Sequence, residues 1–485
     1  MITARDCIVV NAHCGIVYSA PSHAHFHETG DSVNNLRVKT ALLANGWADD
    51  VSIDIDADGD IAGVQSGVAG ASDGCLLPGI ANVHSHAHQR AMAGLAERAG
   101  GGDDDFWGWR ALMYRFLDAV QPEHLRAIAA QLYVEMLKAG YTRVAEFHYL
   151  HHQSGGGRYE NIAEMSLQIL AATIDTGIGI THLPVYYQFG GFGERPMSEK
   201  QLRFANDPAH FLTLFEALKN EIGHDKNTTL GIAAHSLRAI NKETFGEILD
   251  ALAKHGALPV HIHIAEQSGE VDECIAWSGA RPVEYLYENF AVDRNWCLIH
   301  ATHMTDFETA QLAASGAVAG LCPTTEANLG DGFFNAARYL AEGGRIGIGS
   351  DSHISVSPVE ELRWLEYGQR LVHRSRNRLS AGCGLGTGRR LYDLAVAGGA
   401  QACGHNSGAI APGKRADFIV LDTAHPLLCE RHGDELIDSW VFSGNENSVR
   451  DVYVGGKRVI ENGRHACEAD IRRRFLSAMK ALRAR

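Results

Sequence analysis

No apolar stretch in the 485 residues approaches the ~18 needed to cross a bilayer, and the start of the chain lacks a basic segment followed by an apolar one. The expectation is a protein with no membrane partner and no secretory leader. The ten cysteines contain no C-x-x-C pair, which removes the common zinc-ribbon and redox motifs, and several sit in apolar runs as buried thiols do. A reducing cytoplasm suits them. Positive charge is in deficit, with 43 Lys and Arg against 58 Asp and Glu and a net charge of −15. That balance argues against nucleic acid or an anionic membrane as partner, while a small anion held by local arginines stays compatible. The composition is that of a globular, soluble chain, 45% hydrophobic and 21% charged, long enough for one large domain and a smaller one.

The stretch Leu77-Pro78-Gly79-Ile80-Ala81-Asn82-Val83-His84-Ser85-His86 reads as a short apolar strand that leaves a Pro-Gly turn and closes on histidines. Residues two apart on a strand point the same way, so His84 and His86 can present both imidazoles to one metal ion. A bare H-x-H is more often a core histidine beside a solvated one. Here the position at a strand end, together with distant partners at His263, His300 and Asp351, favours the metal.

Eight strand-like runs alternate with helical ones: 80–86, 143–149, 179–186, 230–235, 260–265, 297–301, 317–322 and 346–351. This alternation predicts a closed (β/α)8 barrel whose chemistry sits at the C-terminal strand ends. His84 and His86 end the first run, His235 the fourth, His263 the fifth, His300 the sixth and Asp351 the eighth. Of His261 and His263, the second lies nearer the mouth and opens His263-Ile264-Ala265-Glu266, so it is the ligand and His261 packs behind it. His303, a turn beyond His300, reads as structural. Asp351 ends the apolar Gly347-Ile348-Gly349-Ser350, where a carboxylate is costly to bury unless it meets a metal or a proton.

Turn-and-strand segments near 51–60, 408–422 and 449–460 predict a small β-sandwich built from both chain ends. The expected division is an extension over 1–36, the sandwich over 37–78 and 406–465, the barrel over 79–405, and a helix over 466–485. By composition the extension, with His13, His23, His25 and His27, reads as poorly ordered rather than as a metal tract.

With these residues placed, the chain resembles the amidohydrolase superfamily over nearly all of residues 40–465. The resemblance implies the barrel and sandwich around one or two metals. Binuclear members end the fourth strand in a carboxylated lysine; here it ends in His235-Ser236-Leu237-Arg238. The resemblance therefore implies the mononuclear deaminase type, with one divalent ion per chain on His84, His86, His263 and Asp351. Zn²⁺ suits three imidazoles and a carboxylate, with Fe²⁺ and Mn²⁺ left open by ligand type. In that chemistry Asp351 accepts a proton from the attacking water, Glu266 protonates the leaving nitrogen, and His300 orients the attack and steadies developing charge.

The resemblance narrows to the formimidoylglutamate deiminase family of histidine breakdown on His84–Leu95, Phe106–Arg110, Ala145–Tyr149, His235–Ala239, His261–Gln267, Thr325–Gly332 and Gly349–His353. The first 36 or so residues depart from that family's pattern. Its substrate, N-formimino-L-glutamate, carries two carboxylates, and arginine binds a carboxylate through two parallel N–H bonds. Arg238 is the first choice for that role and Arg110 the second, while matching family positions make Gln89, Tyr149 and His235 further substrate contacts. Trp107 and Trp109 read as packing. The usual family arrangement is a homodimer. Two other readings stand beside this one: a deaminase of guanine or another heterocycle, which needs aromatic stacking and no pair of arginines, and a non-catalytic scaffold, which predicts missing ligands.

Overall fold

A computed structural model of the chain describes residues 31–97, 113–114 and 116–484. In chain order its strands are β1 (Asp31–Ser32), β2 (Asn35–Leu43), β3 (Gly46–Ile55), β4 (Ile61–Gln65), β5 (Ser72–Pro78), β6 (Ile80–Ser85), β7 (Tyr141–His148), β8 (Gly179–Tyr186), β9 (Thr228–Leu230), β10 (Ile232–Ser236), β11 (Val260–Ile264), β12 (Trp296–His300), β13 (Val318–Leu321), β14 (Arg345–Ile348), β15 (Phe418–Leu421), β16 (Val449–Val454), β17 (Lys457–Glu461) and β18 (Arg464–His465). Among the described residues no helix is long and apolar enough to cross a membrane.

Strand burial reflects which faces are covered. β2 alternates, with Leu36 and Val38 buried between exposed Asn35, Arg37 and Lys39, as a strand with one wet face must. β6, β7, β8, β11 and β12 are buried at every residue, the pattern of parallel strands covered on both sides.

Strands from both chain ends form one continuous sheet in the order β1-β17-β16-β15-β5-β2-β3-β4, with β18 on β17. It encloses a core of its own that includes Leu36, Val51, Ile53, Leu76, Phe418 and Tyr453. The sheet reaches back to Asp31, earlier than the expected edge at residue 36, because Asp31 and Ser32 pair antiparallel with Arg458 and Lys457. Residues 1–30, and with them His13, His23, His25 and His27, lie outside the described residues. The C-terminal helix spans Glu468–Arg483.

The second sheet is wholly parallel and closed. β6 is followed round the barrel by β7, β8, β10, β11, β12, β13 and β14, and β14 returns to β6 through Ile348↔Asn82 and a Ser85↔Asp351 bridge. The eight expected strands are all present. The fourth is broken at Gly231, so that β9 pairs with β8 before β10 enters the barrel. β5 runs straight into β6 through Gly79, which hangs the first barrel strand from the centre of the other sheet. A Cβ on Gly79 would lie 2.3 Å from atoms of Thr142, so only glycine permits the crossing.

The helix Thr387–Ala402 covers the seam where β14 meets β6. A Cβ on Gly398 would lie 1.9 Å from the Ile346 carbonyl oxygen, which fixes how closely this helix approaches the barrel. Gly398→Ala forces the helix outward and should destabilise the fold by about 1–3 kcal/mol. A lowered urea midpoint with an unchanged slope is the expected readout.

Candidate metal centre and active site

β6 carries His84 and releases His86 just past its end, β11 carries His263, and the turn after β14 presents Asp351. The chain leaves three barrel strands, β11, β12 and β14, through left-handed non-glycine residues, at Ala265 (φ 49°), at His300 (φ 69°) with Ala301 (φ 48°), and at Asp351 (φ 44°). Strain of this kind persists where the surroundings fix it, and it clusters at functional sites. Here it turns side chains into the barrel mouth.

The donor atoms converge. His84 Nε2 lies 2.9 Å from His263 Nε2 and 3.5 Å from Asp351 Oδ1, while His86 Nε2 lies 3.4 Å from the same oxygen. His86 Nδ1 donates to the Phe147 carbonyl at 3.0 Å and His263 Nδ1 to the His235 carbonyl at 2.8 Å. Each bond places the proton on Nδ1 and leaves the Nε2 lone pair facing the centre. Burial, reinforced by neighbouring imidazoles, lowers the pKa of His84 and His263; burial also lowers that of His86 against the pull of Asp351. Bare lone pairs 2.9 Å apart repel unless a cation lies between them. Around Zn²⁺ with bonds of ~2.0–2.1 Å, the edges of a tetrahedron are about 3.3 Å, so the donor set fits such an ion. Among the described residues, the groupings with ligand spacing all fall at this barrel mouth.

Glu266 follows β11, with Oε1 3.7 Å from His300 Nε2. That nitrogen is 3.8 Å from Asp351 Oδ2, and His300 Nδ1 is 3.3 Å from Glu326 Oε1. Burial alone would lower the pKa of His300, but Glu266, Glu326 and Asp351 outweigh it and push it up to about 10. For Glu266, burial and then Asp351 raise the pKa against the opposing pull of His300 and Arg238. A raised carboxyl is one that can carry a proton to a leaving group. Asp331, also buried, accepts a hydrogen bond from Gln267 Nε2. Burial and Glu266 push its pKa up to about 9.

Above the donor cluster lies a pocket walled by Gln89, Tyr149, Tyr187, Phe204, His235 and Arg238. Gln89 Nε2 donates to the Tyr149 hydroxyl at 3.0 Å, and His88 Nε2 is 3.1 Å from the same oxygen. Gln89 Oε1 is buried with no partner among the described residues. Arg238 stands on the turn after β10. Burial works against its charge, but Glu270 and Glu266 more than compensate, so it stays cationic.

The profile of the amidohydrolase family matches residues 75–459. The chain belongs to the amidohydrolase family. A second profile, described as the N-terminal domain of formimidoylglutamate deiminase HutF, matches residues 38–74. A formimidoylglutamate deiminase from Pseudomonas aeruginosa is 53% identical over 449 residues, covering 91% of this chain and 98% of that protein. The crystal structure of an amidohydrolase from Brucella melitensis superposes with a TM-score of 0.88 at 46% identity, covering 93% of this chain and 100% of that one. An adenosine deaminase from Xanthomonas campestris, solved with bound zinc, shares the fold at 20% identity and a TM-score of 0.77, covering 93% of this chain and 98% of its own.

In this amidohydrolase the expected site residues His84, His86, His263, Glu266, His300 and Asp351 meet at one point, and Gln89, Tyr149, His235 and Arg238 line the pocket beside them. Arg110, with Phe106, Trp107 and Trp109, lies outside the described residues. His261 Nε2 donates to the Ala402 carbonyl at 2.8 Å, away from the mouth. Sequence reasoning assigned no role to Glu326, Asp331, Tyr187 or Phe204. Tyr187 stands one residue past the end of β8, where the strand-end rule could have found it. If the four donors act together, metal measurement on the purified protein gives about one divalent ion per chain; two ions in active enzyme would contradict the mononuclear arrangement.

Proposed function

We propose that the chain hydrolyses N-formimino-L-glutamate to N-formyl-L-glutamate and ammonia in histidine degradation. The observation that carries the substrate class is Arg238, a cation at the wall of a pocket whose floor holds the donor cluster. The 53% identity along almost the whole of a formimidoylglutamate deiminase supports the same substrate.

A divalent ion, read here as Zn²⁺, on His84, His86, His263 and Asp351 would acidify water enough to supply a nucleophile at neutral pH. Asp351 stands where it can accept the proton from the attacking water. His300, held at Nδ1 by Glu326 and facing Glu266 and Asp351 through Nε2, orients the attack and steadies the charge that develops as water adds to the formimino carbon. Glu266 protonates the imino nitrogen as water adds; the proton that Asp351 took from water then passes to the same nitrogen, which departs as ammonia while the hydroxyl of the tetrahedral centre returns a proton to Glu266. Arg238 holds a carboxylate in bidentate fashion, and Gln89, Tyr149 and His235 complete the wall.

Tyr187 and Phe204 give the heterocycle reading the aromatic wall it requires, yet their rings pack at 5.6 Å on each other, and Tyr187 sits edge-on to His235 at 4.6 Å. A cation in the wall suits a carboxylate better than a neutral base. The proposal includes a cytoplasmic homodimer with a small dicarboxylate, not nucleic acid or membrane, as partner. All cysteines among the described residues are free thiols, as a reducing compartment keeps them.

Arg238→Ala leaves a substrate carboxylate unmatched and should cost about 2–4 kcal/mol, roughly 30- to 1,000-fold in kcat/KM. The loss should shrink sharply for a formimino analogue lacking the carboxylate that Arg238 holds. Equal losses for all analogues would reduce Arg238 to a shaping role, and turnover of guanine with none of N-formimino-L-glutamate would overturn the substrate. Glu266→Gln should abolish most turnover, monitored as ammonia release, while metal content stays at the wild-type level.

A further inference from the structure

Behind the donor cluster, on the side away from the pocket, runs a chain of side chains that the proposed chemistry does not use. Asn82 Nδ2 donates to Ser350 Oγ at 2.6 Å, and Ser350 Oγ is 2.9 Å from His353 Nδ1. His353 Nε2 is 3.2 Å from Ser85 Oγ, which donates to Glu146 Oε2 at 2.5 Å. Tyr133 donates to the same oxygen at 3.2 Å, and the Ala87 amide donates to Glu146 Oε1 at 2.7 Å. All six side chains are 0% exposed, so bulk water cannot stand in for a missing partner.

The direction of this chain is determined. Asn82 can only donate from Nδ2, because its Oδ1 takes the amides of His84 and Ser350; Ser350 Oγ accepts there, and His353 Nδ1 is the acceptor within reach of its own hydrogen. A neutral imidazole that accepts at Nδ1 carries its proton on Nε2 and donates to Ser85. Ser85 then donates to Glu146, and with the Ala87 amide and Tyr133 also placed to donate, Glu146 accepts as a carboxylate, the three bonds opposing the upward push that burial gives its pKa. Three donors end on that carboxylate.

Its members also flank the ligands. Ser85 lies between His84 and His86, Ala87 follows His86, and Ser350 precedes Asp351. Asn82 Oδ1 accepts from the amides of His84 and Ser350, both at 3.2 Å. We propose that Glu146 is a positioning residue for the metal centre: as terminal acceptor of a one-way hydrogen-bond chain through Ser85, His353 and Ser350, it holds the β6 and β14 strand ends in the register that aims His84, His86 and Asp351 at one cation. Glu146→Gln puts an amide donor against Ser85 and reverses the chain, which then collides with the fixed Asn82 donor.

This inference rests on the reading of His84, His86, His263 and Asp351 as metal ligands, and its test separates the two. The zinc-loaded enzyme is mixed with a chelator and the rate of zinc loss followed for the wild type, Glu146→Gln, His353→Phe and the double variant. Outer hydrogen-bond partners of this kind affect metal retention by about 10- to 100-fold. The expected result is at least a roughly tenfold faster loss in each single variant, with the double no faster than the worse single, because either change breaks the same chain. Excess Zn²⁺ should restore kcat to within about threefold with KM unchanged, since Glu266, His300 and Arg238 stand outside the chain. Wild-type enzyme that binds no zinc removes both readings. Wild type that holds zinc while Glu146→Gln loses it at a rate within about twofold, or single effects that multiply in the double variant, overturns the network alone. Should Glu146→Gln not fold, Ser85→Ala cuts the same chain with the loss of one atom and decides by the same rates.

Discussion

The seam between β14 and β6 is where the barrel is most sparsely laced, with one registered residue pair and one bridge where neighbouring strands share longer ladders. It is also where the site sits. Asp351 donates its amide to the His84 carbonyl at 3.0 Å, and His86 donates its amide to the Asp351 carbonyl at 3.2 Å. The backbone bonds that close the barrel are therefore the ones that bring a carboxylate beside two imidazoles. A cation held there would bridge the seam, so metal binding and barrel closure share one free energy. Opening the seam by an ångström would separate Asp351 from His84 and His86 before disturbing any other strand.

That constraint explains how local residues act at a distance. Gly349, just before the turn, would bring a Cβ to 2.8 Å from His84 Cβ and the His84 nitrogen, so β14 can approach β6 this closely only without a side chain there. Glu361, fully buried, accepts from the Thr324 amide at 2.9 Å. It pins the start of the helix Pro323–Leu329, which supplies Glu326 to His300. A carboxyl buried with a hydrogen bond from a backbone amide is a rigid anchor, and rigid anchors suit a site whose donor atoms must be held within about half an ångström of their bonding geometry.

Much of this was legible in the sequence, for physical reasons that differ by element. The eight barrel strands are continuous apolar runs bounded by polar helices, and burial on both faces makes such runs stand out. His84 and His86 were legible because strand period alone places them on one face. β1 was not, since two residues carry no period and their partners, Arg458 and Lys457, lie at the other end of the chain. The joining of the two chain ends was legible in their matching turn-and-strand segments, but not that they form one continuous sheet, which depends on the pairing of β5 with β15. Glu326 and Asp331 escaped because their role comes from a short helix and loop folding back over the mouth, a tertiary fact with no local signature. Phe204 escaped for the same reason: nothing near it in sequence announces that it meets Tyr149 and Tyr187.

The charge of the molecule adds a last step. A net charge of −15 would repel a dicarboxylate at long range, but screening at physiological salt confines exposed charges to roughly 8 Å. An approaching anion meets the pocket at close quarters. Its carboxylates, Glu266 and Asp351, face inward toward His300 and the imidazoles, while Arg238 stands at the wall. Glu270, whose charge supports that of Arg238, accepts the Glu266 amide at Oε2 at 3.1 Å, while its Oε1 is buried with no hydrogen-bond partner among the described residues. The arginine is kept ionised by Glu270 and Glu266, and it can offer its N–H groups to a substrate carboxylate. An acidic protein can hold an acidic substrate in this way, with carboxylates around the arginine that keep it charged while it stands at the pocket wall.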